Sequence, residues 1–291
     1  MLPREGMQVL FGDREDRFAS YLRTGVAYAK RPTRDLHMSI LSPVPPKEEN
    51  IRGIRNPLMV FVQGSGFNEQ DLSLNIPLLA EFAHHGFVVA SVQCRPATEV
   101  PFPGQIDDLR LALHYLEKNA HSIGADATRI GLCGGSSGAH TVVMLTVTAW
   151  SEELGGEVLT PHVCDIKAVV DFFGPVDLVR LEETLPDGAA PRFADGRRNL
   201  LGGTARENPE LAQMANPITH LSTGRPLPPF LIVHGDEDEM VPHEQSRLLY
   251  EALVSTGHRA FFVTVRGGRH GRNIFTREIV HHTISFLRGY L

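Results

Sequence analysis

Cysteine is scarce in this 291-residue chain, which has three: Cys94, Cys133 and Cys164. The odd count and the spacing fit neither a disulfide framework nor a zinc-binding pattern. Cys94 and Cys133 lie in or beside apolar runs, where cysteine usually acts as a small hydrophobic residue. The sequence therefore favours a reducing compartment, and a cytoplasmic location is the simplest expectation.

Long apolar runs and an excess of positive charge are also missing. No stretch approaches the roughly eighteen apolar residues of a membrane span, and the N-terminal MLPREGMQVL lacks the apolar segment of a secretory signal. The 28 Lys and Arg residues against 34 Asp and Glu residues give a formal net charge of −6. These features argue against a membrane or a nucleic acid as partner. They leave the oligomeric state open, a homodimer included.

Short β-rich runs alternate with longer helical patterns along the chain. The runs are mostly continuous in apolar residues, which is typical of strands covered on both faces of a parallel sheet. They span residues 58–62, 87–93, 129–133, 168–173, 230–234 and 260–266. Helical patterns with apolar stripes span residues 105–120, 242–254 and 277–287. The alternation predicts an α/β fold with a mostly parallel central sheet and helices on both faces.

Three regions depart from this alternation within a single predicted domain, 1–291. Residues 1–24 are expected to form an N-terminal helical extension. Residues 36–41 resemble a strand, and with 25–29 they form a candidate antiparallel edge. Residues 177–224 mix Pro, Gly and short helical pieces between two core strands. This insertion is either a small cap over a site or a surface excursion without function.

The segment 129–140, RIGLCGGSSGAH, contains a candidate nucleophile. It places a G-x-S-x-G pattern between a predicted strand and a predicted helix, which is the context that a nucleophile elbow requires. Glycine at the flanking positions avoids collisions with the neighbouring strand and helix in such a tight turn. Ser136 is therefore the favoured nucleophile. Ser137 stays open as a rival, because a G-x-S-x-A register also exists, and a glycine-rich turn without chemistry is the other alternative.

A base and an acid follow the serine in the order that this elbow requires. A serine hydroxyl is a weak nucleophile, so it needs a base within hydrogen-bond reach that is oriented by a third group. His270 lies in a glycine-rich loop directly after the run 260–266 and is the candidate base. Four carboxylates, those of residues 236–239, follow the run 230–234. The residues alone leave the choice among these four open.

The loop after the first core strand, in the segment VQGSGF, is a candidate oxyanion hole. Acyl transfer needs N–H donors aimed at the oxygen that becomes negatively charged. We expect one donor from the residue after the nucleophile, Ser137, and others from the Ser65 and Gly66 amides. A tight turn without this role is the alternative.

These motifs resemble those of the α/β-hydrolase esterases, in particular feruloyl-esterase-like and hormone-sensitive-lipase-like carboxylesterases. The similarity covers residues 25–290 and includes VFVQGSGF, RIGLCGGSSGAH, FLIVHGDEDEMVPHEQS and GGRHG. The family pattern H-G-x-x-D-x-x-V-P falls on Asp238 as the acid. G-x-S-A-G-G-H places the nucleophile on Ser136, and G-x-x-H-G places the base on His270. The chain departs from the family in the oxyanion loop, where Gln63 replaces the usual His and Ser65 a usual Gly.

The resemblance implies a serine carboxylesterase that cleaves small to medium carboxylic esters, such as acetyl, short-acyl or hydroxycinnamoyl esters, through an acyl-enzyme. It implies a small-molecule ester as partner and no metal or organic cofactor. Gln63, Phe67, Phe173 and Met240 are expected near the site as pocket residues, with core packing as the alternative for each. Two other functions stay open: a peptidase or formamidase-like amidase with the same triad, and a hydrolase-fold binding protein without turnover.

Overall fold

The computed structural model describes residues 20–43, 55–151, 154, 165–185, 191–271 and 273–291. An eight-stranded sheet runs through these ranges in the order β1-β2-β4-β3-β5-β6-β7-β8. Its strands are β1 (Ser20–Lys30), β2 (Asp35–Pro43), β3 (Asn56–Val62), β4 (Val88–Val92), β5 (Ala125–Gly135), β6 (Ile166–Phe172), β7 (Phe230–Gly235) and β8 (Ala260–Val265). The pairs from β4 through β3 to β8 are all parallel, which confirms the mostly parallel sheet.

Helices connect these strands. They are α1 (Ile76–His84), α2 (Gly104–Ile123), α3 (Ser137–Val147), α4 (Leu178–Thr184), α5 (Pro191–Leu201), α6 (Pro209–Met214), α7 (Glu244–Ser255) and α8 (Arg277–Tyr290), with a 3-10 helix at Pro217–His220. Helices α4 to α6 and the 3-10 helix lie in the predicted insertion. Among the helices of the described ranges, none is both long and apolar enough to cross a membrane.

The N-terminal edge of the sheet is antiparallel, with β1 paired to β2 and β2 paired to β4. The candidate edge formed by 25–29 and 36–41 is therefore confirmed. The predicted helical extension is wrong for residues 20–24, because these residues are already strand and pair with β2 from Ser20 opposite Pro43 onward. Residues 1–19, the rest of that prediction, lie outside the described residues.

The strands alternate their side chains between two cores, one on each face of the sheet. In β3, Leu58 and Val60 belong to the core that contains apolar residues of α2, α3 and α7. Met59 and Phe61 face the opposite core, which contains residues of α1 and α8. Because both faces are covered, the central strands are apolar at consecutive positions. The same layering brings the carboxyl ends of β3, β5, β6, β7 and β8 to one edge of the sheet, where open α/β sheets bind ligands.

Candidate active site

The turn between β5 and α3 presents Ser136 at this edge of the sheet. Ser136 has φ 53° and ψ −126°, a backbone conformation that residues other than glycine rarely adopt. A Cβ atom on Gly134 would lie 2.5 Å from the Gly138 backbone, and one on Gly138 would lie 2.1 Å from the Val62 carbonyl oxygen. Both glycines are therefore required by close approach of the chain, as the elbow motif predicts.

Ser136, His270 and Asp238 form one hydrogen-bonded line. Nε2 of His270 lies 2.9 Å from Oγ of Ser136, and Nδ1 of the same ring lies 2.7 Å from Oδ2 of Asp238. Three loops, following β5, β7 and β8, supply these three side chains. The geometry lets the imidazole accept the serine proton while the carboxylate holds the other ring nitrogen protonated.

The Asp238 carboxylate is fully buried and surrounded by donors. Its Oδ1 accepts hydrogen bonds from the Met240 and Val241 amides, each at 2.9 Å. Its Oδ2 faces Nδ1 of His270 and, at 3.2 Å, Nε2 of His234. Burial raises the pKa of Asp238, but the hydrogen bonds from the two histidines and from Val241 outweigh it and hold the pKa well below its usual range. Asp238 is thus ionised at neutral pH.

The other three carboxylates of the acidic loop point elsewhere. Asp236 accepts a hydrogen bond from the Gly267 amide at 2.7 Å, and the side chains of Glu237 and Glu239 are 59% and 76% exposed. The tertiary structure therefore selects one acid from a run of four.

His234 joins the site without having been singled out in the sequence, although it begins the motif that contains Asp238. The ring is fully buried at the end of β7. Its Nε2 faces two acceptors, the Val241 carbonyl oxygen at 2.8 Å and Asp238, so this nitrogen carries the proton. Its Nδ1 accepts the hydroxyl proton of Ser246 at 2.7 Å. His234 therefore supports the acid and does not contact the nucleophile.

Phe173 follows β6 and packs against the candidate base. It has φ 47°, and its amide donates to the Val233 carbonyl oxygen at 2.9 Å. The Phe173 and His270 rings meet edge to face with centroids 4.8 Å apart. The Phe173 ring is buried beside the imidazole, which favours core packing, the alternative for this predicted pocket residue. Its contact restricts the orientation of His270.

The oxyanion loop is tied to the elbow through a side chain. The Ser65 amide donates to Oγ of Ser137 at 3.0 Å, so this predicted oxyanion donor is already engaged. The Ser137 amide is at the first position of α3, where a helix has no internal acceptor for it. Gly66 and Ser137 both line the pocket beside Ser136. The Ser65 amide is therefore not free for an oxyanion, and the Gly66 and Ser137 amides remain the candidate donors.

A small pocket opens onto Ser136 and His270. Of the predicted pocket residues, Phe67 and Met240 line it. Gln63 does not, because its buried side chain faces a separate cavity behind the oxyanion loop. Gly66 and Phe67, both at positive φ, line the pocket beside Ser136.

The insertion between β6 and β7 supplies part of this pocket. Leu181 of α4, together with Phe193 and Arg197 of α5, lines it. Helix α5 lies directly on the oxyanion loop, since a Cβ atom on Gly196 would fall 1.8 Å from the Gly66 carbonyl oxygen. The sequence indicated none of these three pocket residues. The one indication that the sequence offers for them is their position in an insertion between core strands.

The geometry of the site agrees with comparisons to known proteins. The chain is 28% identical over 218 residues to the esterase LipC of Mycobacterium tuberculosis, covering 74% of this chain and 53% of LipC. It is 24% identical to the isoprenylcysteine alpha-carbonyl methylesterase ICME of Arabidopsis thaliana, covering 87% of this chain and 57% of that protein. The chain thus spans about half the length of these curated relatives.

Solved structures show the same fold over nearly the whole chain. A truncated carbohydrate esterase from gut microbiota superimposes with a TM-score of 0.79 at 26% identity, covering 94% of this chain and 97% of that one. A thermophilic esterase from Thermogutta terrifontis superimposes with a TM-score of 0.71 at 24% identity, covering 94% of this chain and 95% of that one. The fold is therefore the α/β-hydrolase fold, as the motifs implied.

A family model also matches the chain. The BD-FAE model covers residues 45–253, which include the elbow, the insertion and the acidic loop. The resemblance to feruloyl-esterase-like hydrolases that the motifs indicated is confirmed by this match. Because the match spans well over half of the sequence, the chain belongs to the BD-FAE family.

Proposed function

We propose that this protein is a serine carboxylesterase that hydrolyses small carboxylic esters through an acyl-enzyme on Ser136. The observation that carries the proposal is the line of hydrogen bonds from Ser136 through His270 to Asp238. Relatives named as esterases support the ester as substrate class. The small pocket beside Ser136 and His270 suits a small acyl or alcohol group.

In this mechanism Ser136 attacks the ester carbonyl while Nε2 of His270 takes the hydroxyl proton. Asp238 keeps the proton on Nδ1 and stabilises the imidazolium that forms. The Gly66 and Ser137 amides donate to the oxyanion of the tetrahedral intermediate. His270 returns its proton to the departing alcohol, and water then attacks the acyl-enzyme with His270 again as base. The acid is released and Ser136 is regenerated.

The insertion at 177–224 serves in this proposal as a cap that forms one wall of the substrate pocket. Three of its residues line the pocket, which favours the cap over a surface excursion without function. We also expect the protein to work in a reducing cytoplasm, because its two described cysteines, Cys94 and Cys133, are free and buried.

Active-site labelling and a substrate panel test the proposal. A fluorophosphonate should label the purified protein on Ser136, as mapped by mass spectrometry of the labelled peptide. Ser136→Ala should lower turnover of p-nitrophenyl acetate and butyrate by at least about 10³-fold without changing thermal unfolding. Ser122→Ala, an exposed serine on α2, is the matched control.

Three outcomes would reject the proposal in different ways. Labelling of another serine, or full activity of Ser136→Ala, would reject the nucleophile. Faster hydrolysis of matched anilides than of esters would assign an amidase. A chain that neither labels nor turns over any member of the panel would be a binding protein that kept the fold.

A further inference from the structure

Arg197 lies in the same pocket as the candidate nucleophile and base. Its side chain comes from α5 and is one of the residues that line the pocket with Ser136 and His270. The residue is only 8% exposed. Its Nε is buried and has no hydrogen-bond partner. Among the described residues, this charged group at the substrate site therefore has a buried N–H without an acceptor.

The described residues around Arg197 do not compensate its charge. The Glu182 carboxylate interacts with Arg197 only by longer-range electrostatic attraction. That carboxylate accepts a hydrogen bond from the Ala205 amide at 2.9 Å. The neighbouring Arg198 adds further positive charge. In the described ranges, no carboxylate lies within ion-pair distance of the Arg197 guanidinium.

Two other arginines with little exposed surface, Arg95 and Arg110, have acceptors, in contrast to Arg197. Arg95 donates from Nη2 to Asp108 at 2.7 Å, and its Nε lies 2.9 Å from the same carboxylate. Arg110 donates to the Leu154 carbonyl oxygen. The fold thus satisfies a buried guanidinium where its role is structural.

A guanidinium buried without a partner is unfavourable for stability. The group stays charged at any ordinary pH and presents five N–H donors in a planar fork. Burial removes water from these donors, and the described protein acceptors do not offset this loss of hydration. Burial accordingly lowers the pKa of Arg197. A bound molecule with a planar pair of acceptor oxygens and a negative charge would offset this cost, and a carboxylate has both properties.

We propose that Arg197 binds a carboxylate carried by the ester substrate, so that the enzyme prefers anionic half-esters of short dicarboxylic acids to neutral esters of the same size. The inference deepens the proposed esterase function and rests on it. The half-ester is short because Arg197 and Ser136 line one small pocket. Hydrolysis adds water across the ester C–O bond and yields the alcohol, the dicarboxylate and one proton.

The experiment compares probes that differ in charge and little in size. Monomethyl succinate is the anionic probe and methyl succinamate, with an amide in place of the carboxylate, is the neutral one. Hydrolysis is followed by proton release in a pH-stat. Because hydrogen bonds to charged groups contribute about 1.5–3 kcal/mol, we expect wild-type kcat/KM to favour the anionic probe by about 10- to 100-fold.

Variants at Arg197 locate the source of this preference. Arg197→Gln should lower kcat/KM for monomethyl succinate by about tenfold or more and change that for methyl succinamate by less than about threefold. Arg197→Lys, which keeps the charge but loses the planar fork, should fall between. Arg198→Gln, on an exposed neighbour of the same helix, is the matched control and should leave the preference unchanged.

A stability measurement separates substrate binding from a structural role. Arg197→Met should raise the temperature of thermal unfolding, since it replaces an unpartnered buried charge with an apolar side chain. A lower unfolding temperature together with equal losses on both probes would assign Arg197 to structure and overturn the proposal. A wild-type enzyme without preference for the anionic probe would overturn it with no variant needed. Failure of Ser136→Ala to lose activity would instead overturn the esterase proposal itself.

Discussion

The Ser65 amide donates a hydrogen bond to Oγ of Ser137 at 3.0 Å, so the oxyanion loop is fastened to the residue after the candidate nucleophile. In the pattern that the motifs resemble, glycine is usual at the position of Ser65. Here the hydroxyl of Ser137, the second serine of the elbow, accepts the hydrogen bond from the Ser65 amide. Ser137, the rival nucleophile of the sequence, thus has a structural role, while of the two serines Ser136 is the one that lies within hydrogen-bond distance of His270.

Ser137→Ala should separate these two roles. The substitution removes the acceptor for the Ser65 amide but keeps the Ser137 backbone N–H. Loss of one hydrogen bond of about 1 kcal/mol predicts a decrease in kcat/KM of about fivefold. Fluorophosphonate labelling should persist, in contrast to Ser136→Ala. A loss of labelling in Ser137→Ala with a folded protein would reassign the nucleophile.

Asp238→Asn should lower kcat by about 10³- to 10⁴-fold while the fold is kept. The Met240 and Val241 amides require an acceptor at the Oδ1 position, so the asparagine oxygen stays there. Its NH₂ group then faces Nδ1 of His270 and forces the proton onto Nε2, which can no longer accept the serine proton. Steady-state kinetics on p-nitrophenyl acetate measure the loss.

Glu239→Gln is the control for that substitution, because the side chain of Glu239 lies in the same loop and is 76% exposed. It should retain the activity of the wild type. Equal activities of Asp238→Asn and Glu239→Gln would show that the acidic loop contributes no specific partner to His270.

Gly196→Ala should impair catalysis from outside the triad. A Cβ atom at this position would fall 1.8 Å from the Gly66 carbonyl oxygen, so α5 or the oxyanion loop must move. Since losing one oxyanion donor costs about 10²- to 10³-fold, a partial displacement should lower kcat/KM by about tenfold or more. The rate of fluorophosphonate labelling should fall with it.

Gly289→Ala is the matched control, because a Cβ atom there meets nothing within 4 Å. Fluorophosphonate should label the Gly289→Ala variant at the wild-type rate. If Gly196→Ala retained full activity and labelling, the contact between the insertion and the oxyanion loop would have no role in catalysis.

Asp171→Asn should stabilise the protein at neutral pH. Burial raises the pKa of Asp171 to about 6, and one carboxylate oxygen, Oδ2, has no hydrogen-bond partner. A raised carboxyl pKa means that the folded state binds more protons than the unfolded state between about pH 4 and 6, so this group lowers stability as pH rises through that window. Above about pH 6, burial of the ionised carboxylate lowers the free energy of unfolding by the full amount, roughly 2–3 kcal/mol.

Chemical denaturation at several pH values checks this prediction. The free energy of unfolding of Asp171→Asn should exceed that of the wild type by about 2 kcal/mol at pH 7, and the difference should shrink toward pH 4. The Gly174 amide, which donates to Oδ1 of Asp171 at 2.8 Å, keeps its acceptor in the variant. A difference that does not depend on pH would contradict the assigned titration.

Much of the fold could be predicted because it depends on local pattern. The six apolar runs correspond to strands β3 to β8. Most of these strands are covered on both faces and are therefore apolar at consecutive positions. The elbow could also be predicted from the sequence. Gly134 is required by its contact with Gly138, four residues later, and Gly138 by its contact with Val62 of the adjacent strand. The helical extension was misread over residues 20–24, because β1 is mostly exposed and gains its structure from pairing with β2.

The site could be predicted only in part, because its side chains come from distant loops. Local residues did not distinguish Asp238 from its three acidic neighbours, and the family motif was needed to select it. His234, Phe173 and Arg197 acquire their surroundings only when β6, β7 and α5 meet. Gln63 and Ser65 were misplaced because the direction of a loop residue depends on what the loop packs against.

By itself, the sequence determined the strand and helix pattern, the tight turn at Ser136 and the order of serine, acid and histidine along the chain. These follow from periodicity, glycine sterics and position after a strand, which are properties of a few neighbouring residues. Tertiary structure alone decided which carboxylate meets His270, which amides remain free for an oxyanion and which charged side chain enters the pocket. Those outcomes depend on distances between groups as much as 134 residues apart, and such distances exist only once the sheet has formed.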